Sequence, residues 1–94
     1  MNLELEILNY VGLHPNSTQK EIATACGVGV YDALFLGAMM DLHDLQLMVN
    51  VAVPNPEKET EFLYKWWLTS KGKNVIMEAQ KQERRNQDGE DYSE

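Results

Sequence analysis

The stretch Ser17-Thr18-Gln19-Lys20-Glu21-Ile22-Ala23 predicts the start of a short helix with a self-closing first turn. A hydroxyl from Ser17 or Thr18 can cap that helix by accepting a hydrogen bond from a free backbone N–H. Glu21 lies about three residues further on, so its carboxylate can complete a capping box. Gly27 is a candidate C-cap residue, which predicts that the helix ends near Cys26.

Apolar periodicity predicts one helix before this segment and one after it. Upstream, residues 3–11 carry an apolar stripe that ends before His14-Pro15, because proline breaks the helical ladder. Downstream, a longer helix is predicted from Gly29 or Val30 to about Asp44. At 100° per residue its core face should hold Tyr31, Leu34, Phe35, Ala38, Leu42 and Leu45. The opposite side should hold Asp32, Leu36, Met40, Asp41, His43 and Asp44.

The second half of the chain predicts a hairpin and a final helix. Apolar residues alternate in Leu47–Val53 (Leu47, Val49, Val51, Val53) and again in Phe62–Leu68 (Phe62, Tyr64, Trp66, Leu68), as in half-buried strands. Residues 54–59 form a loop that cannot continue the ladder. Ser70 can cap a helix that should run to roughly Arg85. Residues 1–85 are therefore predicted to form a single domain, and the polar, acidic residues 86–94 a disordered tail.

The element order and three motifs resemble the winged helix-turn-helix transcription regulators. Thr18–Ala23 looks like the TQKEIA opening of their second helix, Asp41–Leu47 resembles the end of their recognition helix, and Trp66–Gly72 resembles the YxLTxxG that closes their wing. The set is similar to small MarR- or PadR-like modules and to phage or plasmid regulators. The resemblance implies a mainly α fold with a small antiparallel β-hairpin wing. Gln46 departs from it, because those regulators commonly have glycine there.

Composition and charge restrict the classes of function. The 94 residues include 15 Asp and Glu against eight Lys and Arg, a net charge of −7 that repels nucleic acid at long range. Cys26 is the single cysteine and lies on a predicted buried stripe, where a structural thiol is far more common than a nucleophile. His14 and His43 lack partners at metal-ligand spacing. We therefore expect no enzyme, metal or cofactor, no membrane segment and a cytoplasmic location.

The resemblance implies duplex DNA as the partner. On that interpretation Tyr31, Asp32 and Leu36 read base edges, through an acceptor for cytosine or an apolar contact with a thymine methyl. Residues Ser17, Thr18, Gln19 and Lys20 meet phosphate. Four further lysines add phosphate contacts: Lys58, Lys65, Lys71 and Lys73. Alternatively, each of these lysines is ordinary solvated surface.

The charge distribution also suggests a protein partner. Neither lysine nor arginine occurs between Lys20 and Lys58, an interval that spans the predicted recognition helix. A second hypothesis is therefore a winged helix used for protein contact, as an adaptor or a phage-type inhibitor that imitates DNA. Its surface would comprise Leu36, Met40, Asp41, Asp44 and Trp67, with methionine able to repack against a partner and tryptophan as an anchor. Alternatively, Leu36 and Met40 pack against the first helix or the wing.

The last predicted helix has an apolar stripe of Val75, Ile76 and Ala79. In winged-helix regulators such a helix often pairs with its symmetry mate, and a two-fold dimer would place two recognition helices about one DNA turn apart. The alternative is that the stripe folds back on the first helix and completes the core of a monomer.

Overall fold

The described part of the chain contains four helices and three strands. A computed structural model describes the backbone of residues 2–92 and the side chains of residues 2–83. In chain order the elements are α1 (Leu3–Leu13), β1 (Ser17–Thr18), α2 (Gln19–Ala25), α3 (Ala33–Asp44), β2 (Met48–Asn55), β3 (Lys58–Leu68) and α4 (Ser70–Tyr92). The strands form an antiparallel sheet in the order β1-β3-β2. The predicted fold class, mainly helical with a β-hairpin wing, is confirmed.

One apolar core joins the three N-terminal helices to the base of the sheet. It contains Ile7, Leu8, Val11, Ile22, Ala23, Phe35, Ala38, Met39, Leu42, Leu47, Met48 and Trp66. Burying a large apolar side chain stabilises a fold by about 1.5–3 kcal/mol. This core therefore fixes the angle between α2 and α3 and anchors the wing beside them.

Both ends of α2 follow the prediction. The Thr18 hydroxyl accepts a hydrogen bond from the backbone N–H of Glu21 (3.2 Å), and a Glu21 carboxylate oxygen accepts one from the N–H of Thr18 (3.0 Å). Gly27 has a φ of 73° after the C-cap residue Cys26, and the N–H of Val28 donates to the carbonyl of Ala23. These bonds form a capping box and a glycine C-cap, and the predicted capping by Thr18 is confirmed.

Helix α3 begins later than the sequence predicted. Asp32 is the N-cap residue, with extended backbone angles, and its carboxylate accepts a hydrogen bond from the N–H of Phe35 at 3.0 Å. A start at Gly29 or Val30 was therefore wrong. Aspartate favours the N-cap, because its short side chain reaches the free N–H groups of the first turn.

The buried face of α3 is rotated from the predicted one. Phe35, Ala38 and Leu42 are buried as expected, and Met39 joins them. The remaining three residues of the predicted core face are exposed: Tyr31 (87%), Leu34 (78%) and Leu45 (54%). Large apolar residues occupy much of the circumference of this helix, so periodicity alone does not determine which arc packs inward.

Gln46 takes the backbone conformation that glycine usually has at this turn. Its φ is 62°, its N–H donates to the carbonyl of His43, and the N–H of Leu47 donates to the carbonyl of Leu42. This is the bonding pattern of a Schellman motif. Gln46 therefore keeps the geometry of the glycine turn. Its conformational free energy is higher, because an L-residue in the left-handed region is less favourable than glycine there.

The wing emerges from the core and then extends away from it. Met48 and Trp66 are buried at its base, whereas Val49, Val51, Phe62 and Tyr64 are exposed. The predicted inward alternation therefore holds for Leu47, Trp66 and Leu68. It was wrong for Val49 and Val51, because Met48 and Asn50 share the inward side with Trp66, and for Phe62 and Tyr64, which lie beyond the base that the body of the protein covers. The turn is shorter than predicted, because β2 ends at Asn55 and β3 begins at Lys58.

Helix α4 is capped by Thr69 and is longer than predicted. The Thr69 hydroxyl accepts a hydrogen bond from the N–H of Gly72 (3.0 Å), the bond that the sequence assigned to Ser70. The backbone is helical to Tyr92, so the predicted helix end near Arg85 was too early. Residues 73–88 lack proline and glycine and are rich in helix formers. The two last residues of the predicted tail lie outside the described range.

Candidate functional site

The outward side of α3 is a continuous exposed surface. Residues at the spacing of one helical face remain open to solvent, and we call them the outer face of α3: Leu34, Gly37, Met40, Asp41 and Asp44. Leu34 and Met40 are 78% and 65% exposed, which is high for large apolar side chains. A Cβ added to Gly37 would have no neighbour within 4 Å. Leu34 was predicted to lie in the core, and Gly37 was not among the predicted site residues, although a glycine inside a predicted helix was a visible signal.

A cleft separates α3 from the wing, and we call it the α3–wing cleft. Its volume is about 420 Å³. The residues that line it are Gln19, Leu36, Met39, Met40, His43, Asp44, Asn50, Tyr64 and Trp66. The fold thus brings the start of α2, one edge of α3 and the near face of the hairpin to one place.

Two of the four residues predicted to meet phosphate at the start of α2 are engaged within the fold. Ser17 is buried (4% exposed), and its hydroxyl donates to the carbonyl of His14. The Ser17 prediction was therefore wrong, because that hydroxyl has no access to a ligand. The Thr18 hydroxyl is engaged in the capping box, where it accepts from the N–H of Glu21 and donates to the Glu21 carboxylate. Lys20 is exposed and Gln19 lines the α3–wing cleft.

The predicted base-reading residues have three different environments. Tyr31 is 87% exposed, just before α3. The Asp32 carboxylate caps the helix, so its oxygen already holds a hydrogen bond. Leu36 is half-buried and packs against the core, with one side open to the α3–wing cleft. Of the three, Tyr31 alone extends freely from the surface.

The four other predicted phosphate-binding lysines do not form one patch. The Lys58 ammonium lies 3.7 Å from a Glu61 carboxylate near the wing tip. Lys65 lies on β3, in register with Val51 and Thr18. The Lys71 ammonium donates to the carbonyl of Leu45 at 3.0 Å, at the end of α3. Lys73 lines a separate cavity between α1 and α4.

The residues predicted for a protein interface come together in part. Met40, Asp41 and Asp44 share the outer face of α3. Leu36 lies on the cleft side of the helix, half-buried. Trp67 pairs with Val49 in the sheet, and successive strand residues face opposite ways, so it lies on the other side of the wing from Trp66. The structure therefore separates Trp67 from the other four.

Negative charge predominates over the helix-turn-helix and the wing. From Gln19 to Lys65 the chain has three lysines against seven acidic residues. Hydrogen bonds from the backbone and hydroxyl of Thr18, and the nearby Lys65 and His14, lower the pKa of Glu21 below its ordinary value, so this carboxylate stays ionised. A duplex that approaches α3 would meet a field of its own sign.

A second apolar cavity lies between α1 and α4 and measures about 600 Å³. Leu13 and Ile76 line it, and Val75 and Met77 lie exposed on the same part of α4. Ile76 packs against the core, so part of the predicted stripe folds back as the monomer alternative requires. The other apolar side chains of this helix start remain accessible.

Catalytic and metal chemistry find little support in the described residues. Cys26 is half-buried, and burial raises the pKa of its thiol, which keeps it protonated and unreactive. Within residues 2–83 no three His, Cys, Asp or Glu side chains are grouped as a metal site would require. None of the described helices combines the length and apolarity needed to cross a bilayer.

Comparison with solved structures identifies the fold. A PadR-like transcription factor from Bacteroides fragilis superposes with a TM-score of 0.78 at 15% identity, over 98% of this chain and 89% of that one. Streptococcus pneumoniae FabT in complex with DNA gives a TM-score of 0.67 at 13% identity, over 92% and 56%. The transcriptional repressor CouR, bound to a 23-mer DNA duplex, gives 0.62 at 27% identity, over 82% and 50%.

The chain therefore has the winged helix-turn-helix fold of the MarR- and PadR-family transcription regulators, as its motifs predicted. The matched structures include a MarR-family transcription regulator and a PadR-like transcription factor. This chain spans about half the length of the MarR-type structures that it matches. No protein-family model and no curated protein matches the sequence.

Proposed function

We propose that this chain is a winged-helix transcription regulator that binds duplex DNA through the outer face of α3. The main support is that this face is exposed along the whole helix, on a fold whose solved relatives include regulators in complex with DNA. Leu34 and Met40 can contact thymine methyl groups, and the Asp41 carboxylate can accept a hydrogen bond from cytosine. Gln19 lines the adjoining α3–wing cleft, and it and the exposed Lys20 next to it at the start of α2 can contact phosphate.

Such binding would depend less on salt than DNA binding usually does. Lys20, Lys58 and Lys65 are the cations of the helix-turn-helix and wing, and each neutralised phosphate contributes a slope of about −0.9 in log K against log salt. We expect a slope no steeper than about −3 per protomer. Sequence-specific apolar and shape contacts would have to supply most of the affinity.

A fluorescent duplex library titrated at low salt tests this proposal. We expect selected duplexes to bind, and Lys20→Ala to weaken them about uniformly while it makes the salt slope shallower by about one. Lys81→Ala on α4 is the matched control, since Lys81 is exposed and pairs with Glu78 away from α3. The absence of any bound duplex at low salt would refute the proposal.

We further propose that the regulator is a two-fold dimer joined through α1 and the start of α4. The exposed Leu13, Val75 and Met77 beside the α1–α4 cavity support this surface. The later part of α4 has polar residues at the spacing that a helix pair would bury, which favours contact near its start. Sedimentation velocity of the whole chain should give a dimer, and Met77→Asp a monomer. A monomeric wild type would contradict this.

A protein partner is the second candidate, and one observation favours it. The excess of acidic residues over lysines from Gln19 to Lys65 makes this side of the molecule a poor match for phosphate and a good match for a cationic protein. Regulation by a winged helix would then occur through contact with another protein.

A further inference from the structure

The α3–wing cleft is suited to an apolar side chain. Leu36, Met39, Met40, Tyr64 and Trp66 supply most of its wall. Methionine side chains are flexible and can repack around an incoming group. The polar neighbours, including Asn50 and Asp44, lie among the same lining residues and can accept or donate hydrogen bonds to a backbone that crosses the opening.

Gly37 indicates that something approaches α3 closely from outside. Glycine inside a helix costs about 1 kcal/mol relative to alanine. A Cβ at Gly37 would meet nothing within 4 Å, and the backbone there is not in the left-handed region. The described part of the chain therefore does not need a glycine at this position, whereas a partner that packs against the helix backbone would.

Charge restricts the class of that partner. Asp41 and Asp44 are exposed on the outer face, one turn beyond Gly37 and Met40. Between Lys20 and Lys58 the sequence has no lysine or arginine, and Lys71 from α4 reaches the end of α3, where it lines a cavity with Asp44. A second copy of this chain that presented the same face would bring Asp41 and Asp44 against like charges. A cationic segment would be attracted.

We infer that the outer face of α3 and the α3–wing cleft bind a cationic, amphipathic segment of a partner protein. The segment lies along Gly37, inserts one large apolar side chain between Met40 and Tyr64, and places its cations near Asp41 and Asp44. This inference goes beyond DNA contact and deepens the second candidate above by naming the site and the chemistry of its occupant.

Fluorescence anisotropy with designed peptides tests the inference on the whole chain. The probe is a labelled peptide of about 16 residues, built from lysine and leucine with the leucines at i, i+3, i+4 and i+7. A scrambled peptide of equal composition measures attraction that depends on charge alone. We expect the patterned peptide to bind at least about tenfold more tightly than the scrambled one.

Gly37→Gln is the decisive variant, because it fills the approach to the helix without a change in net charge. Glutamine is a better helix former than glycine, so circular dichroism should show an intact fold. We expect the affinity for the patterned peptide to fall by about tenfold or more. An unchanged affinity would overturn the inference, as would equal binding of the patterned and scrambled peptides.

Charge reversals at two places distinguish binding at the proposed site from attraction to the net negative charge of the protein. Asp41→Lys with Asp44→Lys should abolish peptide binding, whereas Glu78→Lys with Glu83→Lys, an equal charge change on α4, should weaken it slightly. Equal losses would overturn the inference. A duplex tested in parallel separates the two proposals: DNA binding that Gly37→Gln abolishes, with no peptide bound, would overturn this inference and support the proposed DNA contact.

Discussion

The two sides of α3 differ in the solvent exposure of their apolar side chains. The inner side places Phe35, Met39 and Leu42 in the core, where they are almost completely removed from solvent. The outer side exposes Leu34 and Met40 to a similar extent as ordinary surface residues. Apolar side chains on the inner side are explained by the stability of the fold. Those on the outer side are not, and this is why we propose that another molecule contacts this side.

Adjacent truncations on the two sides should show the largest contrast in stability. Phe35→Ala removes a fully buried ring, so we expect it to reduce the free energy of unfolding by about 3–5 kcal/mol. Leu34→Ala, one residue away, should change it by about 0.5 kcal/mol or less. Urea denaturation followed by circular dichroism measures both. A large loss for Leu34→Ala would mean that the outer side is structural.

Alanine substitutions at two glycines should change the free energy of unfolding in opposite directions, by smaller amounts than Phe35→Ala. A Cβ at Gly72 would lie 2.1 Å from the carbonyl oxygen of Leu47, so Gly72→Ala forces α4 away from the end of α3. We expect a destabilisation of about 1–3 kcal/mol. Gly37→Ala meets no neighbour and should stabilise the fold by up to about 1 kcal/mol. Thermal unfolding of both variants checks the signs, and a destabilised Gly37→Ala would contradict the account.

The capping box of α2 should contribute about 1 kcal/mol to the free energy of unfolding, and this contribution should depend on pH. Thr18→Ala removes the hydroxyl that accepts from Glu21 N–H, which typically costs about that much. The folded-state pKa of Glu21 lies below its ordinary 4.5, so its contribution is present above that pH and is lost as the pH falls through the folded value.

Glu21→Gln should therefore reduce the loss of stability between neutral and acid pH, and Lys20→Gln, at the adjacent exposed position, should leave that loss unchanged. Urea midpoints measured across this range give the comparison. If Glu21→Gln loses stability with acid as steeply as the wild type, the hydrogen bonds of the capping box do not lower this pKa.

Local chemistry explains which parts of the structure could be predicted. The caps of α2, the order of the elements and the burial of Trp66 follow from short-range rules that single residues satisfy. The start of α3 was missed because Asp32 was considered as a contact residue and not as a cap. The buried arc of α3 and the face of the wing depend on packing between distant elements, which periodicity in one segment does not contain.

Less of the candidate site than of the fold could be predicted from the sequence. The cation-free interval after Lys20 and the residues Met40, Asp41 and Asp44 were apparent in the sequence. The α3–wing cleft was not, since it forms between side chains as distant in sequence as Gln19 and Tyr64. Leu34 was missed because its spacing fits the core as well as the surface.

The central claim is that the outer face of α3 meets the partner. Amide chemical shifts of the isotope-labelled chain, recorded as a selected duplex is added at low salt, test it most directly. The account predicts the largest changes at Leu34, Gly37, Met40 and Asp41, with smaller ones at Gln19 and Lys20 and none along the middle of α1. Changes confined to α1 and α4, or no change at any duplex concentration, would contradict it.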